Sequence, residues 1–448
     1  MTRSAARAGA SILAALALAW LAWTASAADA PTLREGQHEG ADFVISVPAQ
    51  WNGGLVMFAH GYQGEGPGRG DVQTSPLGPQ LSARGYAWAA SGYRSHGYRP
   101  DWYIADMLAL RERVIKELGR PRWTIIHGQS MGGHVAIASL ELHPEIYQGA
   151  LIECGVIDGV GVVDWLHAYS AAAEYLSGVP MLDTSRPAFD GLVFGTWLPV
   201  MGQPGDYTER GRRFDSVVKY LAGGDVPLRL EGMKLRYTLN LNPRDPGPTR
   251  SQEFARHADT RGIVYEIDPG LGIDAATINR EIRRFIPAPG ARSRDANPVF
   301  AELTGKIRVP VMSIHETADF RVPFRLEQNY RRRVQAAGTG HLLVQRAVRW
   351  AGHCSRRHRA GAGVRRSRRV DGARCRTDGG RRARRRDKAR TTLDRDVSPG
   401  RSGAPAVSRR AIVRALPHTS HRRTPCVEHV VSRHGSGWRW SPHWSWAR

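Results

Sequence analysis

Cysteine is scarce, with only Cys154, Cys354, Cys375 and Cys426 in the chain. Four are too few for a small domain scaffolded by disulfides, and none stands at the paired spacing of a zinc site. Pairing among them is left open. Long apolar runs are equally scarce. The one present, Ala8 to Trp23, follows Arg3 and Arg7 and ends at Ala25-Ser26-Ala27 before Ala28. A basic region, a short greasy core and a small-x-small site are what signal peptidase cuts, and the run falls short of a comfortable bilayer span. Residues 1–27 are therefore expected to be a removed signal peptide, with an N-terminal membrane anchor as the competing reading. The mature chain would then begin near Ala28, secreted or periplasmic, with no stable membrane span left.

Acidic residues and lysine are thin in one region. Residues 355–448 hold 25 Arg and one Lys against five Asp and one Glu, a net charge of +20 out of +23 for the whole protein. The remaining residues hold 38 basic and 35 acidic side chains, +3. The body of the protein is thus nearly neutral, which argues against a specific nucleic-acid partner for it.

What is present is a rhythm of strands and helices. Asp42 to Val47 alternates, Gly54 to Ala59 reads as a buried strand ending at His60-Gly61, and Tyr86 to Ser91 as a third. Asp101 to Leu118 has apolar residues at helical spacing, with Asp101 as a cap and Gly119 as a stop. Trp123 to His127, a helix over Met131 to Leu142, and Ala150 to Cys154 follow. This order predicts a mostly parallel sheet with crossover helices. From 160 to 304 the rhythm changes to amphipathic pieces such as Val162 to Leu176, aromatics at Trp165, Tyr169, Tyr175 and Trp197, and a Pro/Gly-rich joint at Asn242 to Pro248. An insertion this long with helices of its own reads as a cap, and its aromatics as the cap's core rather than a cofactor box. Alternation resumes with Val309 to His315, Phe324 to Ala337 and His341 to Val348.

Gly128-Gln129-Ser130-Met131-Gly132 sits between the strand ending at His127 and the helix from Met131. A strand, then Gly-x-Ser-x-Gly, then a helix forces the serine into a sharp turn with its hydroxyl exposed at the helix N-terminus. A serine hydroxyl is a weak nucleophile at neutral pH, so it needs a base and a group that orients the base. In this architecture the order is Ser, acid, His. Asp319 follows one late strand and His353 follows the next, both where the C-terminal edge of a parallel sheet delivers side chains. Asp158, Asp164 and Glu316 are the alternatives for the acid. The oxyanion needs two backbone donors, expected from Met131 and Tyr62, with His60, Gly61, Gly128, Gln129, Gly132 and His134 supporting the site. Cys354 beside His353 looks like half a metal pair, but no second spaced pair accompanies it.

These motifs in this order resemble the α/β-hydrolase superfamily over Ala41 to Cys154 and Gly305 to Cys354. The resemblance implies an eight-stranded, mostly parallel sheet and hydrolysis of an acyl bond with neither metal nor cofactor. The domain expectation is a hydrolase core in two pieces, 28–159 and 305–354, with a helical cap insertion at 160–304. The substrate expectation is a small-molecule or polymeric carboxylic ester; a peptide or amide is the alternative within the same chemistry. A binding protein or catalytically impaired product, using a basic tail to hold polyanions, is the alternative of another class.

For residues 355–448 two readings compete. One is a disordered basic arm. The other is a shift of reading frame just after the His353 codon, since CGN arginine codons read one base later give Val, Ala, Gly, Asp or Glu. Applied to Val364 to Val370, the shift permits Phe, Asp, Ala, Leu, Val, Glu, Trp in that order, an amphipathic helix of the kind expected after the catalytic histidine. The extreme Arg-to-Lys ratio and the loss of helical periodicity at this point favour the shift. It also predicts that an apolar face of the sheet lacks its last covering helix.

Overall fold

A computed structural model of the protein describes residues 30–242 and 252–354. The segment expected to be a signal peptide, most of the Pro/Gly-rich joint and the Arg-rich tail lie outside the described residues. Within them stands an eight-stranded sheet. Its strands are β1 (Thr32–His38), β2 (Ala41–Val47), β3 (Gly54–Ala59), β4 (Ala87–Ser91), β5 (Trp123–Gln129), β6 (Gly149–Glu153), β7 (Val311–Ala318) and β8 (Leu343–Ala351). Their spatial order is β1-β2-β4-β3-β5-β6-β7-β8. The two pairings that involve β2 are antiparallel and every other pairing is parallel.

β1 was not legible as a strand. Thr-Leu-Arg-Glu-Gly-Gln-His has no apolar alternation because it is an edge strand exposed along nearly its whole length. It is defined by its ladder to β2, from Thr32 opposite Val47 to His38 opposite Ala41. The central strands read easily for the opposite reason. β3, β4 and β6 are buried at every position, so they appear as continuous apolar runs.

One face of the sheet carries helices α2 (Pro100–Leu118), α3 (Met131–Leu142) and α6 (Phe324–Ala336). α2 differs from its sequence expectation at its start. Pro100 is the first helical residue, where its missing N–H costs nothing, and Asp101 lies inside the first turn. There Asp101 holds both guanidinium arms of Arg99, at 2.7 and 3.0 Å, instead of capping the helix. The short α1 (Gly78–Ser82) packs on the other face, over Val44, Val56 and Trp88. On that face Val344 of β8 is 41% exposed, and Trp350, at a register shift in β8, is 42% exposed.

The insertion contributes α4 (Gly161–Ser177), α5 (Glu209–Leu221) and shorter helices, with a small hairpin at Gly202–Gln203 and Asp206–Tyr207. Trp165, Tyr169, Trp197 and Phe214 are buried in contact with one another at ring separations of 5.0–5.6 Å. Burying each side chain of this size stabilises by roughly 2–3 kcal/mol. Their cluster is continuous with the apolar core between the sheet and α2 and α3. The insertion is therefore built into the core rather than perched on it.

Candidate active site

The site is assembled from three chain segments at the C-terminal edge of the parallel strands. The first is the turn between β5 and α3. Ser130 alone separates them, with φ 56° and ψ −123°, a left-handed backbone that a non-glycine residue rarely adopts. Neighbouring backbone holds it there. The Val156 N–H donates to Ser130 O at 2.9 Å, and the Ser130 N–H donates to Glu153 O at 3.3 Å. The motif glycines permit this turn because a Cβ on Gly132 would stand 1.9 Å from Ala59 O, and one on Gly128 2.3 Å from Gly132 O.

The second segment follows β7. Asp319 is fully buried, and its Oδ1 accepts the N–H groups of Arg321 at 2.9 Å and Val322 at 3.2 Å. The third follows β8, where Gly352 with φ 127° turns the chain so that His353 points back. His353 Nδ1 donates to Asp319 Oδ2 at 2.6 Å, and Ser130 Oγ donates to His353 Nε2 at 2.7 Å. The order along the hydrogen bonds is thus Ser130, His353, Asp319. Burial by itself would raise the Asp319 pKa; the His353 and His315 rings and the Val322 N–H outweigh it and hold the carboxyl below its ordinary value.

Of the alternative acids, Asp158 bonds Asn329 and Arg333, and Asp164 bonds Arg292 and the Asp259 N–H. Asp158 is thereby committed to ties within the core, between the end of its first piece and α6, and Asp164 to ties within the insertion. Burial raises their pKa values, to about 6 and about 7.

A cavity of about 60 Å³ opens beside Ser130. Tyr62 and Met131 line it with Ser130, so the loop after β3 and the start of α3 meet beside Ser130. Val162, Leu166 and Phe254 from the insertion form its apolar wall. Glu65 and Arg321 supply polar groups, and Glu65 accepts the Tyr62 hydroxyl at 2.7 Å. His60 and His134 lie buried nearby. Burial lowers the pKa of each to about 4, so both are neutral near pH 7. His60 Nδ1 donates to Gly61 O at 2.7 Å, while His134 bridges the Tyr98 hydroxyl and the Val299 carbonyl at 2.9 and 3.0 Å.

Two features of the site escaped the sequence. Cys154, directly after β6, forms a disulfide with Cys354, whose neighbour is His353. The adjacency of Cys354 to a candidate base was the available signal, but nothing in the spacing named its partner. Both sulfurs are consumed by this bond, so the close grouping of Cys154, His353 and Cys354 leaves only an imidazole as a metal ligand. The other feature is His315 behind Asp319, which reads in sequence as an ordinary strand residue.

The strand order, the elbow between β5 and α3, and the late acid and histidine loops define an α/β-hydrolase fold. A family described as "Tannase-like family of unknown function (DUF6351)" is matched over residues 32–225. No curated protein matches the sequence. Among solved structures the chain is similar to an acylaminoacyl peptidase of Pyrococcus horikoshii, at 14% identity and TM-score 0.37, over 74% of this chain and 40% of that one. It is also similar to an esterase of Pyrococcus furiosus, at 12% identity and TM-score 0.39, over 77% and 89% of the two chains. A third is EstE5 soaked by p-nitrophenyl butyrate, at 13% identity and TM-score 0.34, over 72% and 74%. The chain spans 40% of the length of the acylaminoacyl peptidase it matches.

Proposed function

We propose that the protein is an exported serine hydrolase that cleaves carboxylic esters through an acyl-enzyme on Ser130. The observation that carries this reading is the unbroken hydrogen-bond line from Ser130 Oγ through His353 to the buried Asp319 carboxylate. Ser130 Oγ attacks the ester carbonyl as His353 Nε2 takes its proton. The N–H groups of Met131 and Tyr62 receive the oxyanion. His353 then returns the proton to the departing alkoxide, leaving the acyl group on Ser130. Water repeats the sequence with His353 again as base, and the acid is released. Asp319 stays ionised throughout and fixes the imidazole with its proton on Nδ1.

The tannase-like description of the matched family, and a cavity wall of Val162, Leu166 and Phe254, support an ester with an apolar acyl or alcohol group. Export is supported by the signal-peptide pattern of residues 1–27 and by a disulfide of the kind that persists in oxidising compartments. N-terminal sequencing of the exported protein should begin at Ala28; a start at Met1 or Thr2 would contradict export by cleavage. The reaction class is tested by a panel of p-nitrophenyl esters and peptide anilides. Ester turnover that disappears in Ser130→Ala is expected, whereas anilide turnover exceeding ester turnover would make the protein a peptidase.

A further inference from the structure

His315 lies on β7, four residues before Asp319, and its imidazole is buried between two carboxylates. Nε2 donates to Val322 O at 2.8 Å and stands 3.8 Å from Asp319 Oδ2. Nδ1 faces Glu327 Oε1, on α6, at 3.4 Å, an ion-pair contact too long for a good hydrogen bond. Glu327 is itself 3% exposed, with Oε1 accepting the Ser313 hydroxyl and Oε2 accepting Gln345 Nε2, each at 2.6 Å. Across the sheet His315 is in register with Ala347 of β8, which adds no charge. The charged groups facing it are thus Asp319 from the following loop and Glu327 from α6, with His353 on the far side of Asp319.

The triad uses none of this, yet the arrangement makes a chemical demand. Both ring nitrogens of His315 point at oxygen acceptors. A neutral imidazole would aim a lone pair at one of them and leave two buried carboxylates with no cation between them. An uncompensated carboxylate in such a place costs several kcal/mol and ordinarily takes up a proton. A protonated Asp319 could no longer accept the His353 Nδ1–H and stabilise the imidazolium that forms during catalysis.

We propose that His315 is a positioning residue of the active site, a buried cation between Asp319 and Glu327 that keeps the Asp319 carboxylate ionised and aimed at His353. Burial alone would lower the pKa of His315; Glu327, Asp319 and the Val322 carbonyl together raise it above the ordinary histidine value. Glu327 anchors the cation to α6, and the Ser313 and Gln345 bonds anchor Glu327. The proposal rests on the reading of Ser130, His353 and Asp319 as a triad.

The test is His315→Gln in the full-length protein, which removes the charge and keeps a donor for Val322 O. Its kcat for a p-nitrophenyl ester should fall on the order of 10- to 100-fold with KM unchanged. The acid limb of its kcat/KM profile should move up by about half a pH unit or more, because a cation near the base has been lost. A variant with kcat within about twofold of wild type, or one that loses activity only in proportion to its folded fraction with the limb unmoved, overturns the proposal. Should the variant not fold, nitrogen NMR of the wild-type ring decides. Both His315 ring nitrogens protonated at pH 8 supports the cation, and one nitrogen bearing a lone pair at that pH overturns it. A fluorophosphonate reports on Ser130 in the same wild-type sample. Absence of label there sinks the triad reading, while the NMR result still judges the charge on His315.

Discussion

Removing the Cys154–Cys354 disulfide is the perturbation whose effect can be worked furthest from the structure. The two cysteines are 200 residues apart in sequence. Releasing a loop of that length returns to the unfolded chain an entropy worth about 5 kcal/mol at 25 °C, in the chain-entropy description of cross-links. For a protein of this size each kcal/mol moves the midpoint of thermal unfolding by about 1 to 1.5 °C, so a fall of about 5–7 °C is expected. The catalytic effect is separate. Cys354 follows His353, and Cys154 follows Glu153, whose carbonyl accepts the Ser130 N–H. The bond therefore ties the loop that carries His353 to the end of β6, which holds the Ser130 turn. A displacement of about 1 Å in such a pair costs on the order of 100-fold in rate. The assay is a Cys154→Ser/Cys354→Ser double variant, compared with wild type by calorimetry and by ester turnover below the lower midpoint. A midpoint within about 2 °C of wild type, together with unchanged kcat, would refute the reasoning.

Other expectations follow from single contacts. Asp319→Asn should lower kcat on the order of 1,000- to 10,000-fold, because the amide permits the wrong histidine tautomer; kcat within tenfold of wild type in steady-state assays would count against Asp319 as the acid. Gly132→Ala places a methyl 1.9 Å from Ala59 O, so unfolding in urea should show a loss of about 3 kcal/mol or no folding at all. Asp164 has a folded pKa raised to about 7, above its unfolded value, so the folded state holds the extra proton and wild-type stability falls as pH rises from the unfolded pKa through the folded one. Asp164→Asn lacks that titration and should gain about 2–3 kcal/mol relative to wild type between pH 5 and pH 8, measured by urea unfolding at both.

The parts legible in the sequence were those where one local pattern decides the outcome. Gly128 to Gly132 could be read because a strand, a forced turn and a helix each leave a mark on composition. Asp319 and His353 could be read because chain order and strand ends narrow the choice. The edge strand β1 was hidden, since a strand exposed along its length has no hydrophobic alternation and takes its shape from the ladder to β2. Asp101 was misplaced as a cap because Pro100 looks like a residue before a helix while serving as its first. The partners of Cys354 and His315 depend on where β6 and α6 lie, information that exists only after folding. The insertion announced its helices through Val162 to Leu176. Its contribution of Val162, Leu166 and Phe254 to the cavity required contacts across long stretches of sequence.

The central claim is that Ser130 is the nucleophile, activated by His353. The measurement that bears on it most directly is intact-protein and peptide mass spectrometry after reaction with a fluorophosphonate. One adduct per chain is expected, on the peptide containing Ser130, formed rapidly in wild type, absent in Ser130→Ala, and slowed on the order of 1,000-fold or more in His353→Ala. Labelling that persists undiminished in folded Ser130→Ala, or that proceeds at the wild-type rate without His353, would contradict the account.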